Sequence, residues 1–471
     1  MSSSGNKKPE TWPVCSSMAA SRRALAMPLF RLHLRIQLLV GLMPKPSLPA
    51  WLPTWLHSLL RLLALLHCLV VLFIALHLGV LFSKTTLDAL PTGKLEDITD
   101  ALTMTVIYFF TAYAIGYWCV HSERLVQFLS HINREYRHHS LAGVSFVNMY
   151  TAYRWARNFT TIWLISCLSG CIFWGVTPLV LGVRTLPLRC WYPFDAMAVY
   201  VYSLVYATQL YGQIIVGAIF SFGGFMFVSL CLLLLGQFDV LYCSLKNLDA
   251  HARLLGGEPL PALCDLQQEL LLDESTCELG EYALLQEHAT DLESFIMARG
   301  HPTSLSLTRA AHAGLVECVR LHRFVLEYAA ELEQLFSPYC LIKSLQITLQ
   351  LCLLVFVGVS GSREVMRVIN QLQYLILTTF ELLMFTYCGE LLHRHSVRAG
   401  DAFWRGAWWQ HAPHMRQDVL IFLTNSRRAV QVTAGKFYVM DVSRLRSVIT
   451  QAFSFLTLLQ KLAAKKTAVE S

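Results

Sequence analysis

The stretch LLRLLALLHCLVVLFIALHLGVLF, residues 59–82, decides the fold class of this chain because it contains a single charged residue, Arg61. A helix needs about 20 mainly apolar residues to cross the hydrocarbon core of a membrane. The stretch is long enough for that crossing, and it lacks the apolar–polar alternation of a membrane β-barrel strand. It therefore predicts a membrane-spanning α-helix.

Six further apolar stretches follow the first one. They cover residues 101–120, 159–182, 199–235, 338–359, 369–392 and 447–462. Of the 471 residues, 55% are hydrophobic and 15% are charged, against roughly 25% charged in a soluble protein. The fourth stretch exceeds one bilayer crossing, so we expect it to tilt or to extend beyond the membrane. The predicted fold class is all-α, a seven-transmembrane helical membrane protein.

The distribution of Lys and Arg predicts the orientation of these spans. With a cytoplasmic N-terminus, the cytoplasmic segments carry 24 Lys and Arg residues and the opposite side carries 9. Positive charge concentrates on the cytoplasmic side of membrane proteins. Seven spans then place the C-terminus outside the cell, the reverse of a G-protein-coupled receptor. The net charge of +7 flanks apolar spans, so it indicates topology rather than nucleic-acid binding.

Two segments are predicted to be helical outside the bilayer. Residues 237–336 carry 16 acidic and 6 basic side chains with leucines at helical spacing, which indicates a cytosolic acidic helical extension rather than disorder. Residues 430–462 are predicted to form one helical region, longer than a bilayer crossing. Its first half contains Lys436, Asp441 and Arg444, which are costly in lipid, so we expect that half to lie below the membrane.

The C-terminal third carries a series of short motifs in a fixed order. They are Tyr387-Cys388-Gly389-Glu390, Ala402-Phe403-Trp404, Trp408-Trp409, Thr433-Ala434-Gly435-Lys436-Phe437 and Ser454-Phe455. Over residues 385–460 this series resembles the insect odorant receptors. The seventh helix and the long cytosolic loop are unlike those of the co-receptor that this family shares. The chain is therefore similar to an odorant-tuning subunit.

The resemblance implies tetrameric assembly around a cation pore that the seventh helices line, with a cytoplasmic N-terminus. It implies a ligand-gated, non-selective cation channel subunit that binds a small volatile odorant and assembles with the odorant receptor co-receptor. It also implies a location in the plasma membrane, in the dendrite of an olfactory sensory neuron. The distribution of Lys and Arg leads to the same orientation independently of the resemblance.

Spans, charge pattern and resemblance together divide the chain into seven parts. These are a cytoplasmic N-terminal segment (1–57), transmembrane helices 1–4 with the ligand-binding part (58–236), the cytosolic acidic helical extension (237–336), transmembrane helices 5–6 (337–392), a cytosolic loop and the lower half of helix 7 as the assembly region (393–446), the pore-lining half of helix 7 (447–462) and an extracellular tail (463–471). The ligand is expected in the first membrane part and the gate in the last.

Polar and aromatic side chains on one face of the fourth span indicate a small-molecule pocket. Tyr202, Tyr206, Gln209 and Gln213 are offset by 0, 4, 7 and 11 residues, so they share a helix face. Such a face suits a small ligand, although interhelix packing also explains it. Comparable residues are Tyr108 and Phe109 on the second span, Cys167, Gly170 and Trp174 on the third, and Gln371 and Tyr374 on the sixth. The third-span spacing is similar to that of pocket positions in the odorant receptors. We expect one outer cavity between spans two, three, four and six.

Leu458 and Leu462 are four residues apart on one face of the seventh span. By position they align with the hydrophobic gate of the odorant receptors, where a ring of apolar side chains closes a pore by excluding water. A lipid-facing position is the alternative for both leucines. Lys461 would lower the local cation concentration if it faces the lumen, or it would extend to the membrane interface.

Enzymatic and metal chemistry have no support in the sequence. It contains no phosphate-binding loop, nucleophile elbow or HExxH motif, so we expect no catalytic residue and no cofactor. His393, His395, His411 and His414 lack the carboxylate pattern that would orient them around a metal, so no metal is expected. There are two alternative functions. One is an inverted receptor that signals through a G protein, and the other is a small-molecule transporter, which would show internal repeats.

An epitope tag after Ser471 tests the orientation. We expect antibody to bind it on unpermeabilised cells, because seven spans from a cytoplasmic N-terminus end outside. The sequon Asn158-Phe159-Thr160 lies on the predicted cytoplasmic side and should carry no glycan. Immunostaining before and after permeabilisation measures the accessibility of the tag. A mobility shift after glycosidase treatment measures glycosylation of Asn158. A tag that is reachable only after permeabilisation, or a glycan at Asn158, would refute this orientation.

Overall fold

A computed structural model describes residues 29–46, 51, 53–91, 95–137, 149–256, 258, 262, 306–360, 365–405 and 412–470. Within these residues the regular secondary structure is helical apart from one two-stranded hairpin, which confirms the predicted all-α class. Residues 1–28 lie outside the described residues, as do residues 257, 259–261 and 263–305 of the predicted acidic extension. The elements are α1 (Arg31–Leu39), α2 (Thr54–Ala89), α3 (Leu95–Val120), α4 (Ser122–Glu135), α5 (Met149–Val180), α6 (Val199–Lys246), α7 (Leu248–Leu255), α8 (Leu307–Ser360), α9 (Val365–Arg405), α10 (Ala412–Ser426), β1 (Thr433–Ala434), β2 (Tyr438–Val439) and α11 (Val442–Glu470).

Six helices of the described chain are long and apolar enough to cross a membrane, namely α2, α3, α5, α6, α8 and α9. They contain the first six predicted spans. The seventh predicted span lies within α11, which is more polar than the other six. Helices α6 and α8 have 48 and 54 residues, far more than one crossing needs. Both therefore extend beyond a bilayer.

Helix α6 forms the centre of the bundle. Nearly all of its side chains from Val216 to Lys246 are buried, and α5, α9, α8 and α3 pack around it. Helix α2 lies at the outside, where Leu62, Leu63 and Leu66 are more than half exposed. Exposed leucines along a 36-residue apolar helix suit a lipid environment, which solvates apolar side chains and excludes unpaired backbone groups.

The segment that the sequence predicted as a loop from residue 393 is largely helical. Helix α9 continues to Arg405, and α10 follows over Ala412–Ser426. Ser396 in α9 accepts a hydrogen bond on its hydroxyl oxygen from the backbone N–H of Val430 (2.9 Å). This bond joins the extension of α9 to the chain that follows α10.

A short hairpin takes the place of the first part of the helix that the sequence predicted over 430–462. Strand β1 pairs antiparallel with β2, with Thr433 opposite Val439, and α11 begins only at Val442. Gly435 and Lys436 have φ values of 60° and 64°, a left-handed conformation that no helix interior accepts. The prediction of one continuous helical region was wrong because this Gly-Lys pair closes a turn.

The hairpin is attached to α8 through Glu333. The carboxylate accepts hydrogen bonds from the backbone N–H of Thr433 (2.8 Å) and from Nζ of Lys436 (2.9 Å). The N–H of Gly435 donates to the carbonyl oxygen of Ser337 (2.8 Å). A Cβ atom at Gly435 would lie 2.5 Å from a methyl carbon of Leu341. The turn therefore requires glycine for its φ and for its closeness to α8.

Gly389 allows α9 to approach the end of the hairpin, since a Cβ atom there would lie 1.9 Å from the backbone oxygen of Met440. We expect Gly389→Ala to lower the thermal stability of the detergent-solubilised receptor, because overpacking costs roughly 1–3 kcal/mol and a backbone oxygen cannot move aside. Gly116→Ala is the control: no atom lies within 4 Å of its Cβ position, and alanine favours a helix. Thermal denaturation followed by size-exclusion chromatography measures both. Equal stability of the two variants would contradict the proposed contact.

Candidate ligand-binding cavity

An apolar cavity of about 70 Å³ lies inside the helical bundle. Helices α3, α5, α6, α8 and α9 line it, together with one residue of the connection between α5 and α6. The lining residues are Met104, Ile107, Tyr108, Trp163, Cys167, Cys171, Leu188, Gln213, Val216, Gly217, Phe220, Gln350, Tyr374, Leu377 and Thr378. The cavity lies between predicted spans two, three, four and six, with a contribution from span five. Its use by a ligand stays a prediction.

Helical spacing explains why these side chains converge. Trp163, Cys167 and Cys171 are four residues apart on α5, so they form one stripe along that helix. On α6, Gln213 and Gly217 are also four residues apart. A Cβ atom at Gly217 would lie 2.5 Å from the Cys171 sulfur, so the glycine lets α5 and α6 close the cavity wall.

The cavity wall has few polar groups. Tyr108 stacks on Phe82 of α2, with ring centroids 5.4 Å apart, which holds the tyrosine ring against its neighbour. The amide oxygen of Gln213 is buried and has no hydrogen-bond partner among the described residues. An apolar wall with a small number of polar groups is typical of small-molecule sites.

Four of the predicted pocket residues line the cavity, namely Tyr108, Cys167, Gln213 and Tyr374. Two others face elsewhere. A Cβ atom at Gly170 would lie 1.8 Å from the side-chain nitrogen of Gln373, so Gly170 is a close contact between α5 and α9. Phe109 is 43% exposed and lies against Gly79 of α2. Trp174 and Gln371 also lie outside the cavity lining, and each has a buried side-chain nitrogen without a hydrogen-bond partner in the described chain.

The polar side-chain groups of Tyr202, Tyr206 and Gln209 form hydrogen bonds with backbone groups of the protein. The Tyr202 hydroxyl donates to the carbonyl oxygen of Thr185 (3.1 Å), and the Tyr206 hydroxyl donates to that of Gly175 (2.6 Å). Gln209 accepts from the N–H of Leu188 (3.0 Å) and donates to its carbonyl oxygen (3.1 Å). Tyr202 and Gln209 thus fasten the connection between α5 and α6 onto α6, and Tyr206 joins α6 to α5.

Several lining residues were not predicted from the sequence, chiefly Trp163, Cys171, Phe220, Gln350 and Thr378. Trp163 and Cys171 lie four residues before and after Cys167, so the helical repeat contains the signal for them. Gln350 comes from a helix that the sequence did not assign to the site. Phe220 and Thr378 are ordinary core residues, and whether they line a cavity depends on which helix packs against them.

A buried ion pair lies behind the cavity wall. Nζ of Lys343 in α8 is 2.9 Å from Oε2 of Glu381 in α9, and the two side chains are 1% and 2% exposed. The ammonium also lies over the ring of Phe220, 3.3 Å from its centroid. Since Phe220 lines the cavity, charge is present one side-chain layer away from an apolar space.

A larger groove of about 600 Å³ lies between α8 and α10. Its lining includes charged residues such as Arg320, Arg323 and Glu327, on the part of α8 that precedes the predicted span at 338–359. The smaller cavity, in contrast, has no charged side chain in its lining. The groove lies instead against α10, within the segment predicted for assembly.

The predicted gate residues lie on α11. Leu458 is 52% exposed, Lys461 is also exposed, and the side chain of Leu462 lies outside the described part. Val448, Ala452 and Leu456 form the buried stripe of the same helix. Among the residues that the structure describes, no group of three or more His, Cys, Asp or Glu side chains is arranged to hold a metal.

Comparison with known proteins agrees with this architecture. The sequence model described as 7tm Odorant receptor matches residues 94–453. "Putative odorant receptor 85e" of Drosophila melanogaster is 67% identical over 442 residues, 94% of each chain. Odorant receptor 83a of the same species is 35% identical over 84% of this chain and 86% of its own.

A solved structure is similar in fold. The insect olfactory receptor OR5 from Machilis hrabei, in complex with eugenol, superposes with a TM-score of 0.68 over 94% of this chain and 99% of its own. The sequence identity is 13%, so this likeness concerns the fold. The family model and the two fly receptors cover most of the chain, and the chain therefore belongs to the insect odorant receptor family.

Proposed function

We propose that the chain is the odorant-tuning subunit of a ligand-gated, non-selective cation channel, and that its ligand binds in the cavity between α3, α5, α6 and α9. The observation that carries the proposal is the apolar, partly aromatic cavity enclosed by helices long enough to span a membrane. Such a cavity selects small neutral molecules, which reach it through lipid or water without the desolvation cost of a charge.

The size of the cavity limits how the ligand binds. A cavity of about 150 Å³ is known to accommodate benzene, and this one is about 70 Å³. An odorant larger than a few heavy atoms therefore displaces at least one wall side chain when it enters. Binding then necessarily moves the helices or rotamers around it, which is the first step of a ligand-gated response.

The exposed face of α11 supports a pore-lining role. Val448, Ala452 and Leu456 are four residues apart and pack inward, whereas Leu458 lies about 160° around the helix from Leu456 and is 52% exposed. Lys461 is three residues further along and shares that outward side. In a tetramer with α11 at its centre, this side of the helix faces the axis, where apolar side chains close a pore by excluding water.

The groove between α8 and α10 supports assembly with other subunits. Leu420 and Ile421 of α10 are 64% and 61% exposed, and Ile421 lines the groove. Exposed apolar side chains on a helix outside the bilayer indicate a protein contact. We propose that the odorant receptor co-receptor makes this contact and that the complex resides in the plasma membrane of a sensory dendrite.

Tyr374→Ala tests the cavity, because Tyr374 lines it from α9. We expect the odorant concentration for half-maximal current to rise on the order of tenfold, since losing one aromatic contact of about 1.4 kcal/mol changes affinity by that factor. Tyr211→Ala is the control: Tyr211 is 42% exposed on α6 and does not line the cavity. Dose–response curves of the two variants with the co-receptor, corrected for surface expression, measure the effect. A Tyr374→Ala receptor with wild-type potency would exclude this site.

Leu458→Ser tests the gate. We expect a raised resting cation current without ligand, because a hydroxyl wets the constriction that an apolar ring keeps dry. Leu62→Ser is the control, since Leu62 is 61% exposed on the outer helix α2 and should leave resting current unchanged. Recording in cells treated to block G-protein signalling separates a channel from a G-protein-coupled receptor. Resting current that is unchanged in Leu458→Ser, or odorant current that disappears when G proteins are blocked, would refute the mechanism.

A further inference from the structure

The Lys343–Glu381 ion pair has an unused acceptor. Lys343 Nζ lies 2.9 Å from Oε2 of Glu381, and the ammonium is further covered by the rings of Phe220 and Phe110, 3.3 and 4.5 Å from their centroids. Nζ of Lys343 and both carboxylate oxygens of Glu381 are buried without a hydrogen bond among the described residues, and Oε1 is the oxygen that the ammonium does not pair with. A buried carboxylate oxygen without a donor is costly, and charged residues at membrane depth are functional candidates.

A small cavity lies beside this oxygen. It measures about 10 Å³, and its lining includes Glu381, Trp163 and Gly224, so it has room for about one water molecule. A Cβ atom at Gly224 would lie 3.2 Å from Oε1 of Glu381 and 3.3 Å from Nε1 of Trp163. The glycine therefore leaves open a space that faces two polar groups, and the indole N–H also lacks a partner in the described chain.

Trp163 separates the small cavity from the ligand cavity, because its indole lines both. The ligand cavity of about 70 Å³ is too small for an odorant of benzene size or larger, which needs about 150 Å³. One ring neighbour of the indole, Phe380, lies 5.4 Å away and is 40% exposed. The indole is therefore the shared wall of the two cavities, with a partly exposed ring on one side of it.

We propose that the Lys343–Glu381 pair is the polar end of the ligand site, reached when the Trp163 indole turns aside, and that it selects compact apolar molecules carrying one hydroxyl. The hydroxyl donates its hydrogen to Oε1 of Glu381, and the hydrocarbon part fills the aromatic cavity. A carboxylate accepts hydrogen bonds and does not donate them, so ethers and alkanes of the same size lose this contact. The inference rests on the proposed odorant-binding function of the cavity.

Packing alone is the competing explanation, since the pair also joins α8 to α9. The two explanations differ in ligand selectivity. A pair that only holds two helices together affects folding and has no preference between an alcohol and its isomeric ether. A pair that receives the ligand sets that preference directly.

The test compares matched ligands on the full receptor expressed with its co-receptor. Each primary alcohol from butanol to octanol is compared with its isomeric methyl ether and with the alkane of equal heavy-atom number, such as 1-hexanol, 1-methoxypentane and heptane. We expect alcohols to open the channel at concentrations at least tenfold lower, a difference of about 1.4 kcal/mol. Equal potency of alcohols and ethers in the wild-type receptor, or silence to every alcohol, would overturn the proposal.

Variants assign the preference to the pair. Glu381→Leu alone leaves Lys343 as an unpaired buried charge and endangers folding, so the main variant is the double substitution Lys343→Met with Glu381→Leu. We expect it to reach the surface, to keep its ether responses and to lose the alcohol preference. Lys45→Met, which breaks the exposed Lys45–Glu123 pair, is the control and should keep it. A double variant that still prefers alcohols would refute the assignment.

Trp163→Ala gives a second measurement that leaves the ion pair intact. It tests whether the pair receives the ligand even if the double variant does not reach the cell surface. Removing the indole joins the cavities permanently, and the alcohol-to-ether potency ratio should rise. An unchanged ratio would overturn the proposed access route. If only this inference is wrong, Tyr374→Ala still alters the dose–response curve, but the alcohol preference is the same in the double variant and in Trp163→Ala as in the wild type. If Tyr374→Ala also has no effect, the proposed function fails with it.

Discussion

A hydrocarbon interior offers no hydrogen-bond partner to a peptide group, and this constraint determines most of the structure. Each long apolar stretch satisfies its backbone as a helix, and the six most apolar helices of the described chain have between 24 and 50 residues in their candidate spans. The same constraint applies to side chains inside the bundle. Gln209 therefore bonds both backbone groups of Leu188, and Lys343 lies beside Glu381. Oε1 of Glu381 is one of several buried polar atoms without a hydrogen bond in the described chain, and it lies beside a cavity.

Close helix packing determines the short motifs of the C-terminal third. Gly389 lies against the backbone of Met440, and Gly435 lies against Leu341, so each glycine marks a place where a side chain would separate two elements. Glu333 adds a charged anchor to the hairpin between them. The result is a rigid junction of α8, α9 and the start of α11. This explains why the small and polar residues of this junction carry structural information.

Sequence reasoning found the apolar helices because hydropathy and length are local properties, and the structure bears this out for six spans. It placed Tyr202, Tyr206, Gln209 and Gln213 correctly on one buried or half-buried side of α6, since a helical repeat fixes which residues share a face. It could not tell that the connection before α6 folds back onto Tyr202 and Gln209, or that Tyr206 bonds to Gly175 of α5. Of these four residues, Gln213 is the one that lines the cavity. The hairpin at 433–439 was also missed, because a two-residue strand has no periodicity to detect.

The arrangement of α9 gives the cavity a packed route to α11. Tyr374 and Thr378 line the cavity, and Glu381 and Leu382 follow one turn later on the same helix. Leu382 belongs to a buried cluster with Ile347 of α8 and Val448 and Ala452 of α11. If an odorant of benzene size binds in the proposed site, it displaces the wall of a cavity smaller than itself, and a well-packed cluster transmits such a displacement rather than absorbing it. In the proposed mechanism, a shift of α9 therefore acts on the buried stripe of α11, and a rotation of α11 would turn its opposite side, which carries Leu458.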